Sequence, residues 1–363
     1  LRAQLIDPFM VRQRELNMGG PAVTREAVEE MLEQQTRING RVAQLDNRFF
    51  DQMAPLLSGP QQAMLPRVRL ARERVRLQAN QMMMAFGGAP ADISGMFARA
   101  RIRLTPEQLV RVDELLIPYE QRLTRRLGEF SELTSGMMLK MVNMMDEAGL
   151  LGMTQEEMMS DPERMQAVME TVQQAFAEIG RESSEKASEI RELNLTTYRR
   201  LLEVLPPRAG VALRGIFLPE AAPFFWSGES DGGPSGVWIE AMDVADLTAE
   251  QRATIDAELL AAYTGENQLQ NTVLEEQIKI MSGATPMDMD MEAITAIQER
   301  AGEVGSTLLK RREEANTRVA ALLGEDWRTR RTESSDEGSA VAGMPGGVGG
   351  FAGIRGMVVS EAG

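Results

Sequence analysis

The strongest constraint on the fold is a narrow apolar stripe with helical spacing that begins after Pro106. Apolar residues recur there every three or four positions over about ten helical turns. The stripe consists of Leu109, Val112, Leu116, Tyr119, Leu123, Leu127, Phe130, Leu133, Met137, Met141 and Met144. A second stripe runs from Met165 to Leu205, and the segment Gly149–Pro162 between the two is typical of a turn. The pattern predicts an antiparallel helical hairpin with arms of roughly 60 Å.

The same pattern recurs on both sides of this hairpin. Leu247–Lys279 and Glu292–Leu323 flank a turn at Met281–Met291, while Leu1–Leu16 and Thr24–Leu57 form a first pair of arms. Because the chain starts at Leu1 rather than Met, we expect a processed or fragmentary N-terminus, as removal of a signal peptide would leave. The sequence therefore predicts an all-α fold of three long antiparallel hairpins.

The hairpins divide the chain into six predicted segments. They are a first hairpin over 1–57, a connector with an Arg-rich helix over 58–103, a second hairpin over 104–205, an irregular aromatic connector over 206–246, a third hairpin over 247–331 and a Gly-rich tail over 332–363. The tail lacks a helical period, which predicts a flexible or extended segment.

Composition excludes several classes of function. The chain has neither His nor Cys among its 363 residues, so Ser-His-Asp and Cys-His catalytic sites and the usual zinc sites are impossible. Its net charge of −15 argues against a general nucleic-acid binder. No stretch approaches the about 20 apolar residues of a membrane span. We therefore expect a protein that is not an enzyme, carries no cofactor and does not span a membrane.

The most distinctive local motif is a five-residue helix start that occurs twice. Its copies are "LTPEQ" at Leu104, Thr105 and Gln108, and "LTAEQ" at Leu247, Thr248 and Gln251. In each copy the spacing predicts a capping box, in which the threonine caps the free N–H groups and the glutamine reaches back. Thr105 and Thr248 are therefore predicted to be N-caps of long helices.

An LTxxQ motif that opens a long amphipathic helix resembles the Spy/CpxP family of small bacterial extracytoplasmic proteins. The likeness covers the two motifs and their helices, about a third of the chain. It implies an all-helical protein of curved hairpins, located in the periplasm or otherwise outside the cytoplasm. It also implies an ATP-independent chaperone or stress-sensor role. The chain differs from the family in its length, its third hairpin, its aromatic connector and its Gly-rich tail, and it lacks the histidines of zinc-binding relatives.

Methionines cluster at two predicted turns. Ten lie between Met137 and Met169, and "MDMDM" contributes Met287, Met289 and Met291. Thioethers pack adaptably in cores and on protein-binding surfaces, and they are also ligands for soft ions. Three interpretations stay open: core packing, an adaptable surface, and a Cu(I) or Ag(I) site at those last three residues. Zn²⁺ is not expected to bind, and Cu²⁺ only poorly.

Two further groups are candidates for protein contacts. The arginines of Arg67–Arg76 would suit an acidic partner or lipid head groups, or would pair with glutamates of neighbouring arms. Five aromatic residues fall in the predicted aromatic connector: Phe217, Phe224, Phe225, Trp226 and Trp238. They are expected either at a contact between chains, as large aromatics often are, or at the base of their own hairpins.

Three functions follow, in order of preference. The first is a non-enzymatic extracytoplasmic scaffold, self-associating or held in a larger assembly, because long hairpins bury little apolar surface alone. The second is a chaperone of the Spy/CpxP kind. The third is a Met-based Cu(I)- or Ag(I)-binding protein.

Overall fold

The computed structural model describes residues 25–81, 91–100, 102, 104–147, 162–221, 233–283 and 291–331. Over these residues the chain is all-α, as the apolar periodicity predicts, and the only β feature is an isolated bridge between Val244 and Arg331. The α-helices are α1 (Arg25–Met53), α2 (Gly59–Gln81), α3 (Ile93–Arg99), α4 (Pro106–Glu147), α5 (Pro162–Val204), α6 (Pro207–Ala221), α7 (Pro234–Met242), α8 (Ala249–Gly283) and α9 (Met291–Leu323). Short 3-10 helices cover Ala54–Leu56 and Trp327–Arg330.

The predicted arms of the second and third hairpins correspond to α4, α5, α8 and α9. Ion pairs show that α8 and α9 run antiparallel, because Glu258 meets Arg318 at 2.7 Å and Glu276 meets Arg300 at 2.8 Å. The first arm of the first predicted hairpin, Leu1–Leu16, lies outside the described residues. So does the Gly-rich tail, and the total of three hairpins therefore stays a prediction.

The aromatic connector over 206–246 is not irregular where it is described, and this corrects the sequence-based expectation. It contains α6 and α7. Along α6 the buried residues Ala209, Leu213 and Phe217 recur every fourth position, which is a helical period. Gly210, Gly215 and Pro219 obscure that period in the sequence. The connector over 58–103 is also more helical than expected, since α2 begins at Gly59 and α3 follows it.

The chain forms two compact units, and neither is continuous in sequence. Unit 1 consists of the described residues within Leu1–Ala89, Glu120–Ile190 and Gly283–Asp288, whereas unit 2 consists of those within Pro90–Tyr119, Arg191–Ser282 and Met289–Gly363. Helices α4 and α5 therefore contribute residues to both units.

Within its described residues, unit 1 has a small apolar core and many ion pairs. Leu123 and Leu127 of α4 are fully buried, and Phe50 of α1 is nearly so. Helices α1 and α2 pack antiparallel, with Arg69 at 2.5 Å from Asp51 and Arg72 at 3.0 Å from Asp46. Charged side chains thus carry much of the contact between these two helices.

Unit 2 has a larger core built from α7, α8, α9 and the segment after α9. Its cluster consists of Val237, Trp238, Ala241, Val244, Ile255, Leu259, Ala315, Val319, Leu323 and Trp327. The chain leaves α9 through Gly324, whose φ of 92° is readily available only to glycine, so that Trp327 turns back into the core.

Polar contacts join the separate segments of unit 2. The Tyr119 hydroxyl accepts from the Ile93 backbone N–H at 2.9 Å and donates to Asn194 at 2.8 Å, and the Asn194 amide donates to the Ala91 carbonyl at 2.8 Å. Elsewhere in the unit, a Cβ added to Gly210 would overlap the hydroxyl and the ring of Tyr263, so this helix contact requires a glycine.

Candidate functional site

Both LTxxQ motifs form the reciprocal hydrogen bonds of a capping box. The Thr105 backbone N–H donates to Gln108 Oε1 at 2.9 Å, and the Gln108 N–H donates to Thr105 Oγ1 at 3.3 Å. The equivalent distances for Thr248 and Gln251 are 3.0 and 3.1 Å. The pKa of Glu107 lies below its usual range because its carboxylate accepts hydrogen bonds from its own backbone N–H and from Thr105. The motif therefore acts locally, at the first turns of α4 and α8.

Gln251 also joins its helix to the neighbouring one. Its side-chain amide donates to the Leu322 carbonyl of α9 at 3.2 Å. The two flanking leucines, Leu104 and Leu247, are only partly buried. The second copy of the motif thus combines helix capping with a contact between α8 and α9.

Two of the five candidate interaction aromatics lie inside unit 2. Phe217 and Trp238 are each 1% exposed, and Phe217 stacks on Tyr198 with a ring-centroid distance of 3.9 Å. Their side chains are therefore not accessible to a partner while unit 2 is folded. Phe224, Phe225 and Trp226 lie outside the described residues, so their assignment to a contact between chains stays a prediction.

The arginines of α2 have partners within unit 1. Arg67 donates to both carboxylate oxygens of Glu120, at 2.8 and 2.9 Å, and Arg74 lies buried beside Thr124. Arg69 and Arg72 meet the two aspartates of α1 named above, and Arg76 is 3.9 Å from Glu73. This pairing within unit 1 is one of the alternatives that the sequence leaves open, and it occupies the arginines that an acidic or lipid partner would need.

The structure describes only some of the clustered methionines. Met137 is buried and Met144 is partly buried in α4. Met287 and Met289 lie outside the described residues, and Met291 is the first residue of α9. Within the part of the chain that the structure describes, no group of three or more acidic residues is arranged to hold a metal ion. A Cu(I) or Ag(I) site at these three methionines stays a hypothesis.

A buried ionic cluster in unit 2 was missed by the sequence analysis. Glu266 of α8 is completely buried and pairs with the buried Arg214 of α6. The same carboxylate accepts from the Ser235 backbone N–H at 2.6 Å and from the Ser235 hydroxyl. Arg214 also donates to Asn267 at 2.9 Å and to Ser235 at 3.1 Å. The cluster joins α6, α7 and α8.

The phenols near this cluster stay protonated well above neutral pH. Burial raises the pKa of Tyr198 and Tyr263, and the positive charge of Arg214 acts in the opposite direction at both. The Tyr263 hydroxyl donates to the Leu202 carbonyl at 3.1 Å. The polar groups of this interior thus bind one another, which is a structural role.

Two exposed apolar surfaces are the features best placed for binding. The Leu45 surface consists of Leu45, Phe49 and Leu56 at the end of α1 and in the 3-10 helix after it, and these residues are 43%, 55% and 82% exposed. The Val110 surface consists of Val110 and Ile117 near the start of α4, which are 60% and 41% exposed. Sequence analysis did not single out either surface, because apolar periodicity alone does not separate inward from outward residues at helix ends.

Comparisons of the chain with family models, with curated proteins and with solved structures found no match. Among the described helices, none combines the length and the apolar character that crossing a membrane requires. The likeness to LTxxQ proteins therefore rests on the two motifs alone.

Proposed function

We propose that this chain is a non-enzymatic helical scaffold that works outside the cytoplasm within an oligomer or a larger assembly. The observation that carries the proposal is the Leu45 surface. Phe49 is exposed although its neighbour Phe50, with which it makes an edge-to-face contact at 5.5 Å, is buried in unit 1. Helix α1 thus has apolar residues on its inner face and on its outer face.

Apolar side chains on an outer face favour contact with another chain. Burying a side chain of the size of Leu or Phe contributes about 1.5–3 kcal/mol. Phe49 and Leu56 are large, and the Leu56 side chain is almost fully in solvent. Their burial against a partner therefore supplies a real driving force for assembly, whereas isolated exposed leucines need no explanation.

The interior supports a structural role over a catalytic one. The whole sequence lacks His and Cys, which removes the commonest general base and the commonest thiol nucleophile. In unit 2 the buried Arg214 and Glu266 neutralise each other, and their remaining partners are other buried groups. This arrangement fixes helix positions.

A chaperone function is the second candidate, and a different observation favours it. Exposed large apolar residues occur in both units: Leu45, Phe49, Leu56, Val75 and Leu139 in unit 1, and Leu109, Val110, Ile117, Leu260 and Leu309 in unit 2. Dispersed apolar side chains on stable helices suit transient contact with unfolded chains. The LTxxQ resemblance implies the same role.

Sedimentation velocity over a wide concentration range tests the scaffold proposal. We expect the parent chain to sediment above its monomer mass of 40.1 kDa, with a fraction of assembled species that rises with concentration. Phe49→Ser/Leu56→Ser should shift the distribution towards monomer. Leu260→Ser/Leu309→Ser, which removes two exposed leucines elsewhere, is the control and should behave like the parent.

A strictly monomeric parent that binds no protein from periplasmic extract would overturn the scaffold proposal. In that case the chaperone candidate is tested by the suppression of aggregation of a denatured client protein. Variants at the exposed apolar positions of both units should then reduce suppression.

A further inference from the structure

The Leu45 surface is bordered by a pair of arginines on the same face of α1. Arg41 and Arg48 are exposed and seven residues apart, which places them two turns apart along the edge of this surface. Arg41 donates to Gln44 at 3.2 Å. Within the described residues neither guanidinium has a carboxylate partner, in contrast to the arginines of α2. The Leu45 surface is therefore apolar with a basic border.

The Val110 surface has the opposite charge. Glu107 and Glu114 of α4 are exposed and also seven residues apart, along one edge of Val110 and Ile117. In the part of the chain that the structure describes, no basic group forms an ion pair with either glutamate, although Arg111 lies between them on the helix. The Val110 surface is therefore apolar with an acidic border.

The two surfaces are complementary in charge and in spacing. Two arginines two turns apart on α1 match two glutamates two turns apart on α4, a separation of about 10 Å on each helix. We propose that the Leu45 surface of one copy of this chain binds the Val110 surface of a second copy. This inference rests on the scaffold function and names the partner and the surfaces that the scaffold uses.

A second copy is the occupant that the charges favour. The chain carries a net charge of −15, so copies repel each other except where a basic surface meets an acidic one. Contact between two Leu45 surfaces would bring arginines together, and contact between two Val110 surfaces would bring glutamates together. Only the unlike pair places apolar residues against apolar residues and opposite charges at their borders.

An unlike pair of surfaces is a heterologous interface. Each copy keeps one unused surface after the first contact, so association continues into a ring or a filament. The two surfaces are small, so each contact is weak and the assembly depends on concentration. Added salt should also weaken it, because the border charges are exposed.

Charge reversal with complementation tests the proposal on the full-length chain. Arg41→Glu/Arg48→Glu makes both surfaces acidic, and Glu107→Lys/Glu114→Lys makes both basic. Each variant alone is expected to lose self-association, with an association constant at least roughly tenfold lower. An equimolar mixture of the two variants should recover it, because every contact then joins opposite charges.

Matched controls separate this effect from net charge and from misfolding. Arg200→Glu/Arg252→Glu and Glu299→Lys/Glu303→Lys make the same charge changes at exposed positions on other helices and should leave assembly unchanged. Recovery in the mixture also shows that both surface variants are folded, and far-UV circular dichroism checks each one separately.

The outcomes distinguish this inference from the proposed function. If the parent assembles and neither reversal weakens assembly, the surfaces named here are wrong while the scaffold function stands. If only the α1 reversal acts and mixing does not restore assembly, the Leu45 surface binds a different site or a different protein. If the parent never assembles and binds no other protein, both proposals fail.

Discussion

Units 1 and 2 are both helical, yet different interactions hold them together. Among the described residues, unit 2 buries two tryptophans and all three tyrosines of the chain, and it also contains a buried ion pair. Among its described residues, unit 1 buries fewer large side chains, and its α1–α2 contact includes the partly exposed pairs Arg69–Asp51 and Arg72–Asp46. Dry aromatic packing contributes far more to stability than exposed ion pairs do.

The contrast shows that the most specific contacts between helices lie in unit 2. The two LTxxQ capping boxes, the Gly210–Tyr263 contact and the Arg214–Glu266 pair all lie in unit 2. The basic and strongly exposed Leu45 surface lies in unit 1. We expect local opening to cost less free energy in unit 1 than in unit 2.

The largest expected effect is that of Trp238→Ala. Removing this fully buried side chain should cost roughly 3–5 kcal/mol of unit 2 stability. Native-state hydrogen exchange checks it, because amides of α7, α8 and α9 should lose protection while those of α1 and α2 keep theirs. Equal losses in both sets would mean that the units do not open independently. Leu309→Ala, at an exposed position of α9 outside both proposed surfaces, is the control.

Breaking the buried ion pair should have a similar effect. Glu266→Leu leaves the Arg214 charge buried without its partner, which should cost roughly 3–5 kcal/mol in urea unfolding. The double variant Arg214→Met/Glu266→Leu should be clearly more stable than the single one, because no uncompensated charge remains. A double variant as unstable as the single one would mean that the cluster contributes through its other hydrogen bonds.

Alkaline pH should destabilise unit 2 before unit 1. Burial raises the pKa of Tyr198 and Tyr263, so the unfolded state loses their protons near pH 10 while the folded state keeps them. The contribution of these groups to stability is complete below pH 10 and falls above it, by about 1.4 kcal/mol per pH unit for Tyr198. Urea unfolding between pH 9 and 11 measures the slope, and Tyr198→Phe should flatten it.

Loss of a capping threonine should have a moderate effect. Thr105→Ala and Thr248→Ala should each cost about 1 kcal/mol, because each leaves N–H groups of its helix without their acceptor. Thermal unfolding of the two variants measures the loss. Thr→Ser at the same positions keeps the hydroxyl and is expected to recover most of it, whereas a loss that Ser does not recover would point to the methyl group.

The smallest expected effect belongs to an ion pair of unit 1. Asp46→Asn removes the carboxylate that Arg72 meets at 3.0 Å, in a pair that is partly exposed. We expect a cost of about 0.5–1 kcal/mol that disappears at high salt. A loss of stability above that range, or one that salt does not reduce, would show that ion pairs stabilise unit 1 more strongly than we expect.

Periodicity predicted the long helices well, because the stripe of core residues repeats over many turns. The predicted arm Leu247–Lys279 and the observed α8 differ by two residues at the start, and the capping motif explains this precision. The prediction of an irregular connector over 206–246 is wrong where α6 and α7 form. Glycines and prolines are typical of turns, but here some of them lie within helices. Gly210 is such a residue, because Tyr263 occupies the space of its side chain.

Tertiary features were less predictable than helices. Arg214 and Glu266 are 52 positions apart, and nothing local marks them among the chain's many charged residues. Leu109 belongs to the predicted core stripe and yet is exposed, whereas Val112 of the same stripe is fully buried about one turn later. Burial depends on which helix faces which, and a single sequence does not contain that information.

The discontinuity of the two units has a consequence for how the protein is made. During synthesis, Tyr119 emerges from the ribosome well before its partner Asn194, and Trp327 completes the unit 2 core only after α9 has emerged. Residues of α2 can meet Glu120 much earlier, after a separation of only 53 positions. Newly made chains therefore carry an unfinished, apolar unit 2 until the segment after α9 has emerged, the period in which helper proteins are most needed.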